Sequence, residues 1–416
     1  MLRLIKKIIP KPLFRLLQPA YHKSLAFTGA LLYRFPSKKL IVIGVTGTKG
    51  KSSTSEIIYS ILESAGHKVA LASTIHFKIG KYIERNLFKM TMPGRFFLQR
   101  FLRRAKNEGA THVIIEMTSE GVKQFRHKFI DLDALVFTNL SHEHIESHGS
   151  FENYKKAKLK LRDALESSSK KKKFMIANHD DEHGKDFLDV SSSEKVPFSL
   201  REIGKVVEYP EISFTYKDAE YYSPLKGLFN VYNIFGAIKA TEVFGVDTKA
   251  RQKGVEHLDV IRGRVEHIFE GQPFTVVVDY AHTPDSLEKL YRTFGDKEKV
   301  CVLGNTGGGR DTWKRPEMAQ IAEKHCSHVI LTDEDPYDED PKKIVEEMAA
   351  GMKKEPEIIM NRREAIRTAF KRVSDDGVVL ITGKGTDPYI MRANGKKEPW
   401  SDADVAREEL RYILGK

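Results

Sequence analysis

Cysteine is almost missing from this chain: 416 residues carry two, Cys301 and Cys326, in apolar surroundings and without metal-type spacing. That scarcity excludes a disulfide-built scaffold and a cysteine metal cage, and reads as two core thiols in a reducing compartment. Long hydrophobic runs are missing too. Leu25 to Tyr33 comes nearest, well short of the about 20 residues a membrane-spanning helix needs. The N-terminus lacks the continuous apolar centre and cleavage site of a signal peptide. There is no internal repeat or low-complexity tract, and no motif for binding RNA or DNA accompanies the lysines. The net charge of +12 therefore fits anionic nucleotides and acidic substrates, and no nucleic-acid partner is expected. The run Lys170-Lys171-Lys172-Lys173 reads as a solvated loop. What remains, 40% hydrophobic and 30% charged residues, describes a soluble globular chain with room for two or three domains.

From Lys39 onward, strand-like runs alternate with helical spacing. Leu40–Val45, Val69–Ala72, His112–Glu116, Ala134–Thr138 and Phe174–Ala177 read as strands. Between them, Ser55–Ala65, Arg95–Lys106 and Phe151–Glu166 read as helices, which predicts an α/β unit with a mainly parallel sheet covered on both faces. Val206 to Tyr222 suggests an antiparallel edge, and Asn230 to Val243 a helix. A second α/β series starts near Val265, with strands at Thr275–Val278, Val300–Leu303, Val329–Thr332 and Val378–Ile381. Two such series predict two domains, 39–258 and 259–416, with a ligand cleft between them. Residues 1–38 stand apart. Leu2, Leu4, Ile5, Ile8 and Ile9 alternate with Arg3, Lys6 and Lys7 before Pro10 and Pro12. Such a segment either packs on the main domain or lies on an anionic membrane.

The stretch Thr46-Gly47-Thr48-Lys49-Gly50-Lys51-Ser52-Ser53-Thr54 follows the first strand and opens a helix. That order builds a nucleoside-triphosphate cradle, with Gly47, Thr48, Lys49, Gly50, Lys51, Ser52 and Ser53 as candidate contacts. Glycines let backbone N–H groups converge on phosphate oxygens, Lys51 supplies a cation, and Ser52 can hold Mg²⁺. The strict pattern wants glycine where Val45 stands, so this is a variant loop.

Other chemistry-bearing residues sit beyond strand ends. Glu116 closes a strand and would face the same crevice as the loop; it also reads as a solvated strand end. His142-Glu143-His144-Ile145-Glu146-Ser147-His148 puts three histidines and two glutamates in seven residues. It reads either as metal ligands or as a polar loop, and no HExxH spacing selects zinc. Asp279 suits ribose hydroxyls, and Pro284-Asp285 reads as a helix start. Gly304 to Gly309 with Arg310 and Asp311 makes a second anion-friendly turn. Gly383-Lys384-Gly385-Thr386-Asp387 offers further charges.

Together with GLFNVYN at Gly227–Asn233, IRGRVE at Ile261–Glu266, DYAHTPDSLE from Asp279 and RDTWKRP from Arg310, these segments resemble the ATP-dependent Mur ligase family, most closely its MurE branch. The resemblance runs from about Lys39 to the C-terminus. It implies a P-loop central domain and a Rossmann-like C-terminal domain in a cytoplasmic, monomeric ligase of peptidoglycan precursor synthesis. The implied reaction joins an amino acid to a muramoyl-peptide-type carboxylate, with ATP passing its γ-phosphoryl group to make an acyl phosphate. Lys51, Arg264 and Mg²⁺ would bring the anions together. Residue by residue, Ser52 matches the ligand of the nucleotide Mg²⁺, and Glu116 and His144 match ligands of a second Mg²⁺. Lys158, on its own one of several helix lysines, falls where the family has a carbamylated lysine. Asn233 and Asp279, with Tyr280 and His282 beside them, correspond to nucleotide contacts. Thr91, Thr118, Ser119 and Arg126 match positions that hold the acyl substrate, and Arg310, Gly383 and Asp387 those that hold the amino acid.

Departures carry expectations of their own. Only 38 residues precede Lys39, where the family's uridine-diphosphate domain takes about a hundred, so another surface or another donor is expected; in one reading residues 1–38 place the enzyme at the inner membrane face. Where diaminopimelate-adding members carry Asp-Asn-Pro-Arg, this chain has Glu334-Asp335-Pro336-Tyr337. Tyr337 cannot pair with a distal carboxylate, and Glu334 and Asp335 favour a basic amino acid such as lysine. Two alternatives stay open: a folylpolyglutamate synthase-like ligase, and a non-ligating ATP-binding subunit.

Overall fold

The computed structural model describes residues 11–143 and 145–416. Its first unit is built on β1 (Ile41–Thr46), β2 (Val69–Ala72), β3 (His76–Ile79), β4 (Tyr82–Arg85), β5 (His112–Glu116), β6 (Ala134–Phe137), β7 (Phe174–Asn178) and β8 (Glu194–Phe198). They form one eight-stranded sheet in the order β4-β3-β2-β5-β1-β6-β7-β8. β2, β5, β1, β6, β7 and β8 run parallel, and β3 and β4 extend the sheet as an antiparallel hairpin. Alternation along β1 sends Ile43 and Val45 into one core and Val42 into the other. Covering on both faces is what makes parallel strands read as unbroken apolar runs.

The second unit repeats the scheme with β11 (Glu266–Ile268), β12 (Thr275–Asp279), β13 (Lys299–Leu303), β14 (His328–Leu331), β15 (Glu357–Ile358) and β16 (Val378–Thr382). Its order is β11-β12-β16-β13-β14-β15, with only β11 antiparallel. Two further cores flank this sheet. The expected α/β class, with two wound units, is borne out.

Three expectations need correction. Val206 to Tyr222 does not edge the large sheet: β9 (Ile212–Tyr216) and β10 (Ala219–Ser223) make a separate two-stranded ribbon. Its aromatics turn onto the helix Leu228–Glu242, with Tyr216 and Phe235 ring centroids 4.9 Å apart. The helix after β1 begins at Lys51 rather than Ser55, because Gly50, at φ 81°, turns the chain straight into it. Cys301 and Cys326 form a disulfide, with Cα atoms 6.1 Å apart. The helix Lys314–His325 returns beside β13 and brings them together. Cysteine usage therefore gives no argument for a reducing compartment. Lys11–Leu32 forms a helix. This helix packs on Arg95–Asn107; the pattern Leu2 to Ile9 lies outside the described residues.

Two core histidines give the fold a pH dependence. His112 and His127 are buried. Burial, then the charge of His67, holds His112 down at about 4, and burial, then Lys128 and Lys160, holds His127 at about 3. The unfolded chain takes up these protons near pH 6.5 and the native chain does not, so stability is full above that pH. It is lost as pH falls toward 4, by up to about 1.4 kcal/mol per unit for each ring. Denaturant titrations of His127→Leu and the parent at pH 7 and 4.5 should show a smaller loss in the variant; parallel losses would contradict this.

Candidate active site

The carboxyl ends of β1, β5 and β6 open on one crevice, as the switch-point rule requires. The loop after β1 passes so close to its neighbours that side chains are barred. A Cβ on Gly47 (φ 149°) would lie 2.0 Å from Thr138 Oγ1, and one on Gly50 would lie 2.2 Å from Asn233 Oδ1. Thr138 Oγ1 and Asn139 Nδ2 both donate to the Lys49 carbonyl, at 2.7 and 3.1 Å. The Lys49 N–H donates to Asn139 Oδ1 at 2.9 Å. Thr48 Oγ1 lies 3.0 Å from Tyr154 OH and accepts from the Ser141 N–H. The cradle is thus held by the strand behind it.

Lys51 Nζ curls back onto the carbonyls of Gly47 and Thr48, at 3.0 and 2.9 Å. Burial pulls its pKa down to about 8, Glu116 and Glu143 opposing and Lys49 and Arg264 assisting. Lys158 Nζ donates to the same Gly47 carbonyl at 2.6 Å. It is buried, and its pKa lies well below the ordinary value because of burial first and the Lys51 charge second. Glu116 is fully buried at the end of β5 and takes the N–H and hydroxyl of Thr74 at 3.2 and 2.8 Å. Thr91 meets the same threonine at 2.8 Å.

The second unit reaches into this crevice. Arg264 Nη2 lies 3.5 Å from Ser52 Oγ, and its guanidinium lies 4.5 Å from the centre of the Tyr280 ring. Asp279 accepts the N–H groups of Val265 and Ala281 at 2.8 and 2.7 Å, and burial raises its pKa. His282 bridges the Tyr280 carbonyl (2.6 Å) and Glu143 (3.2 Å). Glu143 also pairs with Lys49 at 3.0 Å. Burial, then Lys49, holds His282 near 3, so the neutral ring carries one N–H and can donate to only one of these two acceptors at a time.

A second cluster sits at the ends of β14 and β16. Lys384 Nζ and the Met391 N–H share Asp335 Oδ1 at 2.8 and 2.7 Å. Lys89, from the segment after β4, crosses between the units to Asp335 (2.5 Å) and Asp387 (3.1 Å), and lies 5.6 Å from the Tyr337 ring. Glu334 accepts from Thr306 at 2.8 Å, and burial raises its pKa against the opposing charge of Arg362. Gly383 favours glycine, since its φ of 104° strains other residues and a Cβ would sit 2.1 Å from Glu334 Oε2.

The structure thus gathers Gly47–Ser53, Glu116, Lys158, Asn233, Arg264, Asp279, Tyr280 and His282 around one crevice. Glu334, Asp335, Tyr337, Gly383 and Asp387 cluster beside it, with Lys89 and Lys384 paired to the carboxylates. Thr118 instead caps the helix Ser119–Lys123, and Ser119 meets His148 at 3.1 Å. Arg126 Nη2 donates to Gln124 at 2.7 Å, and Arg310 is exposed. His144 lies outside the described residues. Among the described residues no three metal-ligating side chains converge. Ser52 and Glu116 nonetheless offer the hard oxygens that Mg²⁺ prefers. Sequence reasoning missed Thr74, Lys89, Asn139 and Tyr154, which act through partners far along the chain. Glu143 lay in a flagged loop, but nothing local pointed to His282.

Two family profiles match: Mur ligase middle domain over residues 45–241, and Mur ligase, glutamate ligase domain over 263–385. The chain is 35% identical over 409 residues to a UDP-N-acetylmuramoyl-L-alanyl-D-glutamate--2,6-diaminopimelate ligase of Geobacillus kaustophilus (strain HTA426), covering 94% of this chain and 82% of that protein. It is 35% identical over 387 residues to the protein of the same name from Aquifex aeolicus (strain VF5), covering 90% and 78%. A solved structure of such a ligase superposes with TM-score 0.61 at 29% identity, covering 90% of this chain and 79% of that one. The Mycobacterium tuberculosis folylpolyglutamate synthase bound to ADP and AMPPCP superposes with TM-score 0.71 over 94% and 95% of the chains. At 15% identity that likeness shows the fold alone.

Proposed function

The chain belongs to the Mur ligase family, and from that premise we propose that it joins an amino acid to a muramoyl-dipeptide carboxylate at the expense of ATP. The observation that carries the reading is the convergence of Lys51, Glu116 and Lys158 with Arg264 of the second unit on the phosphate loop. Residues 39–258 act as the ATP domain and 259–416 as the acceptor domain. Backbone N–H groups of Gly47–Ser53 hold the triphosphate. Phosphate bound beside Lys51 returns its ammonium to full charge. The substrate carboxylate takes the γ-phosphoryl group, with Lys51 and Arg264 offsetting the gathered negative charge. The acceptor amine then attacks the acyl carbon and phosphate leaves. Mg²⁺, when bound, would neutralise phosphate charge. Ser52 would hold one ion, and Glu116, His144 and Lys158, as a carbamate, a second. Thr91, Thr118, Ser119 and Arg126 are assigned to the donor, and Asn233, Asp279, Tyr280 and His282 to the nucleotide.

The reading is tested by ADP release with a UDP-muramoyl dipeptide or a folate, each across an amino-acid panel, with products weighed by mass spectrometry. Release that needs both the muramoyl donor and an amino acid supports it. Release with folate and glutamate alone, or none across the panel, replaces it with one of the two alternatives.

For the acceptor we propose a cationic side chain, held by Asp335, Asp387 and Tyr337, with Arg310, Glu334 and Gly383 around the amino acid. Lys89 marks the spot, since its ammonium already sits between the two carboxylates. Asp387→Asn should cut kcat/KM for lysine by about ten- to a hundredfold, the worth of one charged hydrogen bond, and change that for alanine little. Diaminopimelate outcompeting lysine in the parent enzyme would refute the assignment.

A further inference from the structure

The helix Lys11–Leu32 carries apolar residues on two opposite sides. Small residues, Ala26, Gly29 and Ala30, are buried against the helix Arg95–Asn107. They permit close approach: a Cβ on Gly29 would lie 3.6 Å from Phe96 Cα. The other side presents Leu17, Tyr21, Phe27, Leu31 and Leu32 to solvent, the last two 56% and 64% exposed. The spacing 17, 21, 31 and 32 puts these side chains along one face. A helix that packs through its small residues and exposes its large ones has no partner for the latter among the described residues.

Charge selects that partner. No Asp or Glu occurs before Glu56, and the first 39 residues carry nine Lys and Arg. The underlying helix Arg95–Asn107 adds five more basic residues and no acid. Lys39, Arg103 and Lys106 crowd together: desolvation first, then the two neighbouring cations, lower the pKa of Lys106. Two copies of such a face would repel each other, whereas an anionic surface with an apolar interior satisfies both features. No described helix is long and apolar enough to cross a membrane. We propose that this face docks on an anionic lipid bilayer, with the helix Lys11–Leu32 lying in the interface and its exposed leucines in the acyl boundary.

The test is sedimentation of the full chain with vesicles of phosphatidylcholine, alone or with about a third phosphatidylglycerol. The protein should follow the anionic vesicles, and less so as salt rises. Leu31→Asp/Leu32→Asp should lower the partition coefficient about tenfold or more, leaving ADP release from a soluble donor unchanged. Arg34→Gln/Lys38→Gln/Lys39→Gln should remove much of the salt dependence while leaving the leucines in place. Equal partitioning of parent and leucine variant, or equal binding to neutral and anionic vesicles, would overturn the proposal. So would a parent dimer in gel filtration that the leucine variant turns into a monomer, since the face would then be a self-association surface.

Discussion

Replacing Lys158 by alanine is expected to lower kcat/KM by about a thousandfold, the scale of losing a group that organises charge at the reacting phosphoryl. Lys158 is 2% exposed, and burial first, with the Lys51 charge second, pulls its pKa well below the ordinary value and so favours the neutral amine. A neutral amine is the form that adds CO₂: the N–C bond forms, one proton leaves, and the product is an anionic carbamate. That anion would give Lys51 a counter-charge where a second ammonium would repel it. Two readouts separate this from mere packing. ¹³C-bicarbonate should give a carbamate signal in the parent that Lys158→Ala lacks. A short carboxylic acid such as propionate, filling the vacated space, should restore part of the activity. Near-parental turnover in Lys158→Ala would sink the assignment, as would an absent signal together with no rescue.

Lys51→Met should lose activity on the same scale, about a thousandfold, yet leave the ligand-free fold about as stable at pH 7. Burial lowers the Lys51 pKa from 10.5 to about 8, which corresponds to about 3 kcal/mol of strain on the charged form at neutral pH. The variant sheds that strain and gives up two charge-assisted hydrogen bonds to the Gly47 and Thr48 carbonyls, each worth about 1.5–3 kcal/mol, so the two effects nearly offset at pH 7. The sign with pH follows. The unfolded lysine keeps its proton up to about 10.5 while the native one releases it near 8. Parent stability should therefore rise relative to the variant as pH climbs through that window. Urea titrations of both proteins at pH 7 and 9.5 check it. A variant markedly less stable at pH 7, with no pH-dependent difference, would mean that Lys51 supports the fold rather than straining it.

The same two lysines show how far a sequence reading carries. Lys51 was legible because phosphate binding is local: strand, glycine turn and helix start are consecutive, and backbone N–H groups supply most of the cradle. β1, β2, β5, β6 and β7 were legible as unbroken apolar runs. β4 and β8 were not: Tyr82–Arg85 and Glu194–Phe198 expose most of their side chains and carry no apolar run. Lys158 looked like one helix lysine among several. Its depressed pKa comes from burial first and then from the Lys51 charge, more than a hundred positions away, and its hydrogen bond runs to the equally distant Gly47 carbonyl.

The amino-acid order alone thus determined the class of fold, the phosphate loop and the likeness to one ligase family, since each is written in neighbouring residues. Tertiary structure alone decided that Arg264 meets Ser52, that Lys89 sits between Asp335 and Asp387, that Cys301 joins Cys326, and that Leu17, Tyr21, Leu31 and Leu32 of the helix Lys11–Leu32 turn outward. All four depend on which distant segments the two sheets bring together. Burial and charge pairing are properties of that packing and are written in no single stretch of chain.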